Sequence, residues 1–334
     1  MINLYFSLYF FKVKFYLQYI LLLVVGMLTL SLSAQQMPGF TQYQTTIMYS
    51  NPAYAGMREG ICINGLMRQQ WAGFSDTQSG DDVSPQTFLI SVDSPIKALH
   101  GGIGGSIIQD NLAAGIWKDI GLQLSYAFHA DLSMGKLGIG VGVNLINRSF
   151  DGSKYDPVDD SDDALVGSSQ GDMRADVNFG LFLMDQGRYY FGISVNNMLE
   201  TTYKKLYTGE GDGGTLNDRT FTLNAAYTFL MNNPLFEVEP ALMVLSDFSA
   251  TQYNLSATVK YNDRFWAGLN ARLGNFESIG VLVGFSFKDF RIGYAYDINM
   301  MKLSMPGSHE VTMGYCFKLK GDRSKTSYKN TRYL

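Results

Sequence analysis

A period-two alternation between large apolar residues and glycine or asparagine fills residues 135–150. The odd positions carry Leu137, Ile139, Val141, Val143 and Leu145, and the even positions between them carry Gly138, Gly140, Gly142 and Asn144. Side chains of a β-strand point alternately to opposite faces, so this period predicts a strand and not a helix. A soluble sheet normally presents Lys, Glu or Thr to water on its polar face, and this stretch does not. We therefore expect its apolar face to meet lipid.

The same alternation recurs along the chain and predicts a transmembrane barrel. A bilayer offers no water to backbone amides, so strands that cross it must close on themselves, with apolar side chains outward and small or polar ones inward. We expect an all-β, up-and-down antiparallel β-barrel of about 14 strands. The expected strands are 60–71, 86–93, 101–109, 118–131, 136–149, 172–184, 188–199, 219–230, 236–247, 252–261, 264–273, 277–287, 289–298 and 309–319. The weakest are the glycine-rich 101–109 and 236–247, where Pro240 cannot donate a ladder hydrogen bond.

The lengths of the connections alternate as they do in outer-membrane barrels. Short turns are expected near residues 131–135, 185–187, 231–235, 262–263 and 288, and long loops at 72–85, 151–171, 200–218 and 299–308. Bacterial barrels have short periplasmic turns and long outer loops. With an even strand number, this pattern predicts that both chain termini are periplasmic.

Composition excludes several other classes of protein. Charged residues make up 17% of the 334 residues, against roughly 25% in a typical soluble domain. The mean hydropathy of -0.03 is too low for a helical membrane protein. A net charge of -4 argues against nucleic-acid binding, which needs a basic face.

The N-terminal segment predicts export. Lys12 and Lys14 precede an apolar run over 20–32, and small residues at 31–34 come before Gln35. We interpret residues 1–34 as a signal peptide; the alternative is an uncleaved anchor, since 15–32 is long enough to span a membrane. The remaining chain is expected to comprise a plug or periplasmic segment at 35–59, a barrel at 60–319 and a basic tail at 320–334. That tail is either disordered or contacts periplasmic partners.

Several motifs resemble those of one protein family. They are Phe-Thr-Gln-Tyr at 40–43, Tyr-Ser-Asn-Pro-Ala-Tyr-Ala-Gly at 49–56, Arg-Gln-Gln-Trp at 68–71, Pro-Gln-Thr at 85–87, residues 101–110 and Tyr-Ala-Tyr-Asp at 294–297. They resemble the PorP/SprF family of Bacteroidetes outer-membrane proteins of type IX secretion and gliding. The resemblance implies a barrel without catalysis that helps export or anchor a secreted type IX substrate or surface adhesin. Implied partners are periplasmic and outer-membrane secretion components and outer-membrane lipid.

The segment before the first strand has two interpretations. Its polar side chains could meet a polar inner wall while Tyr43 and Tyr54 pack, which would make it a plug. Alternatively, it is a periplasmic tail that docks on the secretion machinery. The residues expected to matter are Tyr43, Asn51, Pro52, Ala53, Tyr54, Ala55 and Gly56.

Cys62 and Cys316 lie on inward positions of the first and last expected strands. These strands become neighbours when the barrel closes, and opposed Cα atoms in antiparallel strands come within disulfide range. We hypothesise a disulfide across the closure, which an oxidising compartment permits. The alternative is two buried free thiols at different heights.

The loop at 156–163 contains five carboxylates, which could contact a partner or bind calcium through oxygen ligands. They belong to Asp156, Asp159, Asp160, Asp162 and Asp163. The alternative is a solvated acidic loop.

The three histidines form no metal, nucleophile or nucleotide motif, so we expect no enzyme activity and no cofactor.

Aromatic residues at strand ends are expected to form the two interfacial girdles of a membrane barrel. They are Trp71, Trp117, Tyr189, Tyr190, Tyr261 and Trp266.

The sequence leaves open a second function, an outer-membrane diffusion channel or uptake porin for small solutes. A soluble lipid-binding barrel is a third possibility.

Overall fold

A computed structural model describes residues 37–75, 82–152, 170–203, 215–216, 218–274, 277–300 and 305–318. The predicted signal peptide, the acidic loop at 156–163 and the basic tail at 320–334 lie outside these residues. Among the described residues, no helix combines the length and apolar character that crossing a membrane requires.

The described chain forms fourteen barrel strands, close to the spans that the alternation predicts. They are β1 Gly60–Gln69, β2 Gln86–Ile96, β3 Gly101–Leu112, β4 Trp117–Leu132, β5 Gly135–Phe150, β6 Gln170–Asp185, β7 Tyr189–Asn196, β8 Thr220–Tyr227, β9 Phe236–Ser246, β10 Thr251–Tyr261, β11 Phe265–Leu273, β12 Ser278–Phe287, β13 Phe290–Asn299 and β14 Ser308–Lys318. Phe229–Leu230 extends β8 after a break, and Thr202–Tyr203 pairs with Thr215–Leu216 outside the barrel sheet.

Every strand pairs antiparallel with its sequence neighbours, and β1 pairs with β14. The sheet is therefore closed, and the prediction of a transmembrane antiparallel barrel is confirmed. We call the end with the turns at 133–134, 186–188, 262–264 and 288–289 the short-turn end. The opposite end, which carries the connections 70–85, 151–169, 197–219 and 300–307, is the long-loop end.

The two faces of the sheet match the alternation in the sequence. On β5, Val141 and Val143 are half-exposed on the outside, whereas Gly140 is buried on the inside. The large exposed apolar side chains of the other strands also form the outer surface, and the buried side chains of Asp93, Gln123 and similar polar residues face the lumen. Apolar outside and polar inside is the arrangement that a bilayer requires.

Pro240 lies within β9 because the ladder on one side is already interrupted there. The β8–β9 pairing ends at Ala226 opposite Ala241 and resumes at Phe229 opposite Val238. At the break, the N–H of Thr228 donates to the carbonyl of Arg188 instead. The missing N–H of proline therefore removes no bond from a continuous ladder.

Some strand ends differ from the prediction. β1 ends at Gln69, two residues early, because Trp71 has a positive φ of 54° and begins the loop. β7 ends at Asn196 and not at residue 199, since Asn197 has a φ of 56°. Turn geometry of this kind is not visible in an apolar alternation.

The aromatic-girdle prediction is wrong for Tyr190 and Trp266. Outward positions on their strands belong to neighbours such as Phe191 and Phe265, which are 46% and 58% exposed. Tyr190 stacks on Phe182 inside the lumen, and both Tyr190 and Trp266 line a lumenal cavity. The position of each residue in the alternation decides whether its side chain faces lipid or the lumen. Its distance from the end of the strand does not.

Candidate functional site: a plugged lumen

The segment before β1 lies inside the barrel. Residues 40–57, which we call the plug, form a 3-10 helix Tyr43–Thr45, a one-turn α-helix Ile47–Ser50 and a 3-10 helix Pro52–Tyr54. Most of its side chains are buried against the wall, although it is only a chain of short turns. Of the two interpretations of this segment, the structure places it in the lumen.

Asn51 joins the centre of the plug to the barrel wall. Its side-chain oxygen accepts a hydrogen bond from the N–H of Ala53 at 2.9 Å and so caps the helix that Pro52 begins. Its side-chain nitrogen donates to the carbonyls of Leu181 on β6 and Ile193 on β7, both at 3.1 Å. One asparagine therefore both shapes the Asn-Pro-Ala turn and attaches it to two strands.

Glycines of the wall make room for this turn. A Cβ added at Gly140 would overlap the backbone of Ala53, and one at Gly180 would overlap the side chain of Asn51. On β3, a Cβ at Gly102 would overlap the backbone of Ala55. The inward glycines therefore form a surface that fits the plug backbone closely.

A buried group of four charged side chains from the wall surrounds the start of the plug. Arg68 Nη1 lies 2.9 Å from Asp297 Oδ2 and 3.2 Å from Glu310 Oε2. Arg272 Nη2 lies 3.6 Å from the same oxygen of Asp297. Two positive and two negative groups balance, which a buried set of charges requires.

The plug supplies hydrogen bonds that this group needs. Both oxygens of Glu310 accept backbone N–H bonds, from Thr41 at 3.0 Å and from Gln42 at 2.7 Å. The hydroxyl of Thr41 donates to Asp297 at 2.6 Å. The plug therefore supplies to these carboxylates the hydrogen bonds that water would otherwise make, which their burial requires.

The end of the plug is fixed near the short-turn end, just before β1. Arg58 Nη2 lies 2.6 Å from the fully buried Asp93 on β2. Gly56 has a φ of +69°, and its N–H donates to the same carboxylate at 3.3 Å. His129 on β4 lies 2.9 Å from the carbonyl oxygen of Ala55. This histidine therefore contacts the plug from the inner wall.

A disulfide joins Cys62 on β1 and Cys316 on β14. The two residues are directly opposed in the β1–β14 register, with Cα atoms 4.1 Å apart. The bond therefore lies across the closure of the barrel, near its short-turn end.

Two cavities flank the plug. One, of about 190 Å³, lies toward the long-loop end between Met37, Tyr49 and the walls of β3 to β5; we call it the vestibule. The other, of about 220 Å³, lies toward the short-turn end beside Gln44 and Tyr54. The plug separates the two.

The described residues contain no group of three or more His, Cys, Asp and Glu side chains arranged to hold a metal ion. The acidic loop of Asp156, Asp159, Asp160, Asp162 and Asp163 lies outside those residues, so its calcium and partner hypotheses stay predictions.

The charged group and the fit between wall glycines and plug are not predicted from the sequence. Arg68 and Asp297 belong to the motifs at 68–71 and 294–297, and charged residues of opposite sign at inward positions of two strands are the signal that points to an ion pair. The alternation on β5 predicts only that its inward glycines are small. Their repetition at successive inward positions was the available indication that another backbone packs there.

The profile of the PorP/SprF family, described as type IX secretion system membrane proteins, matches residues 32–315. The chain belongs to this family. The match spans the plug, the β1–β2 region and nearly the whole barrel, so the PorP/SprF resemblance seen in the short motifs is confirmed. Outer-membrane location follows from the family together with the barrel fold. No curated protein matches the PorP/SprF chain significantly.

Several solved structures are similar to this PorP/SprF protein. The Ralstonia pickettii toluene transporter TbuX is 12% identical with a TM-score of 0.50, over 82% of this chain and 94% of that one. A deletion mutant of the monoaromatic hydrocarbon channel TodX has 12% identity and a TM-score of 0.48, over 81% and 94%. Acinetobacter baumannii Omp33 has 6% identity and a TM-score of 0.44, over 78% and 100%. At these identities the likeness concerns the fold alone.

Proposed function

We propose that this PorP/SprF barrel is a plugged, non-catalytic component of type IX secretion that helps export or hold a secreted surface protein. The observation that carries the proposal is the plug: residues 40–57 fill the middle of the lumen through hydrogen bonds to at least six strands. A lumen occupied in this way suits a binding or assembly role better than free diffusion. The proposed partners are a type IX substrate or surface adhesin and the periplasmic and outer-membrane secretion components. No cofactor is needed.

We further propose that the long-loop end faces the cell exterior, as in other bacterial barrels. β14 ends at the short-turn end, so the C-terminal side then faces the periplasm. Met37 lines the vestibule at the long-loop end, so on this proposal the described chain enters the lumen from the exterior side. The plug therefore runs from the exterior side of the lumen to the periplasmic start of β1.

The test is a gene deletion combined with purification of the detergent-solubilised barrel. We expect one surface protein to be lost from the deletion strain and to co-purify with the tagged barrel. The alternative, a channel for small solutes, predicts instead a steady conductance in planar bilayers and an unchanged set of surface proteins. That result would contradict the proposal.

A further inference from the structure

The first part of β6 lacks a neighbouring strand on one side. β5 pairs with β6 from Gln170 onward. β7 pairs with β6 only from Phe179, which is opposite Val195, because β7 already ends at Asn196. The barrel is closed below this level. Above it, residues 170–178 rise past β7 at the long-loop end as an edge of the sheet.

Odd-numbered residues of this segment direct their backbone groups toward the side without a strand. The carbonyl of Val177 faces that side and accepts a backbone N–H at 3.0 Å, and the Val177 N–H donates to the Asp176 carboxylate at 2.8 Å. Backbone groups alternate in direction along a strand, so those of Gly171, Met173 and Ala175 face the same side. They make no hydrogen bond there within the described chain.

The β6 edge, which we define as residues 171–175, is accessible. Gly171 and Ala175 are exposed, and since their side chains are absent or small, most of this exposure is that of the backbone. Met173 is 64% exposed. The edge contains neither lysine nor proline, with which natural edge strands often prevent pairing. Unpaired, accessible backbone groups of this kind form a template for another strand.

The chain that follows β7 passes on the inner side of this edge. The N–H groups of Leu199 and Thr201 donate to the Asp176 carboxylate at 2.9 and 3.4 Å. Arg174 Nε donates to the carbonyl of Thr202 at 2.8 Å. Asp176 and Arg174 occupy inward positions of β6, so this part of the chain covers the lumen side and does not bond the backbone groups of the edge.

The surroundings of the edge change from apolar to polar toward the long-loop end. The outward side chains of β5 beside it are Leu145, Asn147 and Ser149, opposite Ala175, Met173 and Gly171 respectively. Lipid offers no partner to unpaired backbone groups, whereas an aqueous surface leaves them free to exchange water for a second strand. In the proposed orientation, the edge therefore emerges on the exterior side.

We propose that the β6 edge docks an extended segment of the secreted partner, which adds one antiparallel strand to the barrel wall. The backbone of such a segment supplies the N–H and carbonyl groups that pair with the edge, and its alternate side chains supply selectivity. Met173 presents an apolar side chain outward, so the residue opposite it should be apolar. The partner as source of the segment rests on the proposed function; the free edge does not.

A second copy of this chain fits the edge less well. Barrels of one kind insert into a membrane in one orientation, so β6 of a neighbouring copy runs in the same direction as this one. It could not add as an antiparallel strand, and parallel pairing is less stable per residue. A segment of another protein is not restricted in this way.

The experiment uses the full-length barrel in detergent and a fluorescent strand peptide, Lys-Thr-Val-Thr-Val-Thr-Lys. The matched probe has the same sequence with N-methyl groups on its valines and threonines, which removes their N–H donors. We expect saturable binding of the first probe and binding of the second at least about tenfold weaker, because several ladder hydrogen bonds are lost. Hydrogen exchange of amides in 170–176 should slow with the first probe alone. Equal binding of both probes, or none of either, would overturn the proposal.

Variants locate the site. Ala175→Pro and Met173→Pro each remove an N–H that makes no bond in the barrel, and the proline ring blocks the approach of a strand. Each should weaken binding of the strand peptide at least about tenfold. Ala175→Val keeps the N–H and is the matched control, which should bind as the wild type does. Circular dichroism verifies that all three variants retain their strands. Unchanged binding in both proline variants would refute the site.

Measurements in cells separate this inference from the proposed function. The Ala175→Pro barrel should reach the outer membrane and lose most of the surface protein, whereas Ala175→Val should retain it. If the strand peptide binds but gene deletion removes no surface protein, the edge stands and the secretion role fails. If deletion removes the surface protein but both proline variants retain it, the role stands and the docking site fails. A dimer of the wild type that Ala175→Pro dissociates would assign the edge to a second copy and overturn the proposal.

Discussion

Gly140 illustrates how one absent Cβ determines what the lumen can hold. The backbone of Ala53 occupies the space that a side chain at this position would need. Gly65 on β1 points outward instead, and a Cβ there would have only the Met313 carbonyl oxygen, at 4.0 Å, nearby. Two glycines in similar strands thus have different physical roles.

We predict that Gly140→Val displaces residues 51–55 of the plug from the wall. The added side chain would overlap the Ala53 backbone, which cannot rotate away as a side chain could. Hydrogen exchange followed by mass spectrometry should show amides of this segment exchanging at least about tenfold faster, as expected for a local opening made easier by more than about 1.4 kcal/mol. Gly65→Val is the control, and equal protection in the two variants would contradict the prediction.

We predict that Glu310→Gln destabilises the barrel by roughly 3 to 5 kcal/mol, the usual cost of leaving a buried charge unpaired. The substitution leaves Arg68 and Arg272 with Asp297 as their one remaining anion in the group. The measurement is urea unfolding in lipid vesicles. Asp185→Asn is the control, because its pair with Arg188 is 3.7 Å apart and exposed; it should cost under about 1 kcal/mol.

At the residue scale, the sequence predicts which side of the barrel wall a side chain lies on. It predicts less well which other residues that side chain contacts. The alternation correctly assigns Val141 to lipid and Gly140 to the lumen. It cannot show that Asp297 meets Arg68, since the two are 229 residues apart and their contact depends on how the plug and three strands come together. Tyr190 and Trp266 lie near strand ends but on the inward parity of the alternation, and this parity places their side chains in the lumen.

At the element scale, β1 and β14 are the two strands whose pairing closes the ring. They are joined by ladder hydrogen bonds from Gly60 to Gln69 and by the disulfide between Cys62 and Cys316. Since the two cysteines are 254 residues apart, the bond constrains the unfolded chain over almost the whole barrel.

We predict that the double variant Cys62→Ser and Cys316→Ser still folds but is less stable by about 2 to 5 kcal/mol, the range for removal of a native disulfide. Urea midpoints should fall in the variant, and reductant should lower the midpoint of the wild type but not of the variant. An unchanged wild-type midpoint in reductant, with two titratable thiols, would show that the bond is absent.

The start of the plug gives a topological prediction. Met37 lies in the vestibule at the long-loop end, so Met37→Cys should react with a membrane-impermeant maleimide on intact cells. The native cysteines are paired and should not react. Phe248→Cys, in a turn at the long-loop end where the side chain is 75% exposed, is the positive control. Asn233→Cys at the short-turn end should react only after permeabilisation; the reverse pattern would invert the proposed orientation.

Most strands could be predicted because the outward face of each one must be apolar to meet lipid, and this requirement repeats along the chain. The plug could not, since its short helices satisfy no period and are held by the wall rather than by their own propensity. Its Asn-Pro-Ala-Tyr-Ala-Gly motif marked it as special without showing where it lies.

At the scale of the whole molecule, we predict that deletion of residues 40–57 converts the barrel into a channel. The plug fills the middle of the lumen, so its removal should produce a conductance in planar bilayers that the intact protein lacks. Deletion of the tail 320–334 is the control and should leave conductance unchanged. A conductance equal in all three proteins would show that the plug does not obstruct passage, and circular dichroism would verify that the shortened barrel retains its strands.

The position of the plug at the N-terminal side of β1 also bears on biogenesis. A finished ring would have to admit eighteen folded residues past its own rim, whereas a growing sheet can curl around them while β14 is still free. Insertion into the membrane and filling of the lumen then occur in one step. An inserted barrel with an open, unfilled lumen does not need to form as an intermediate.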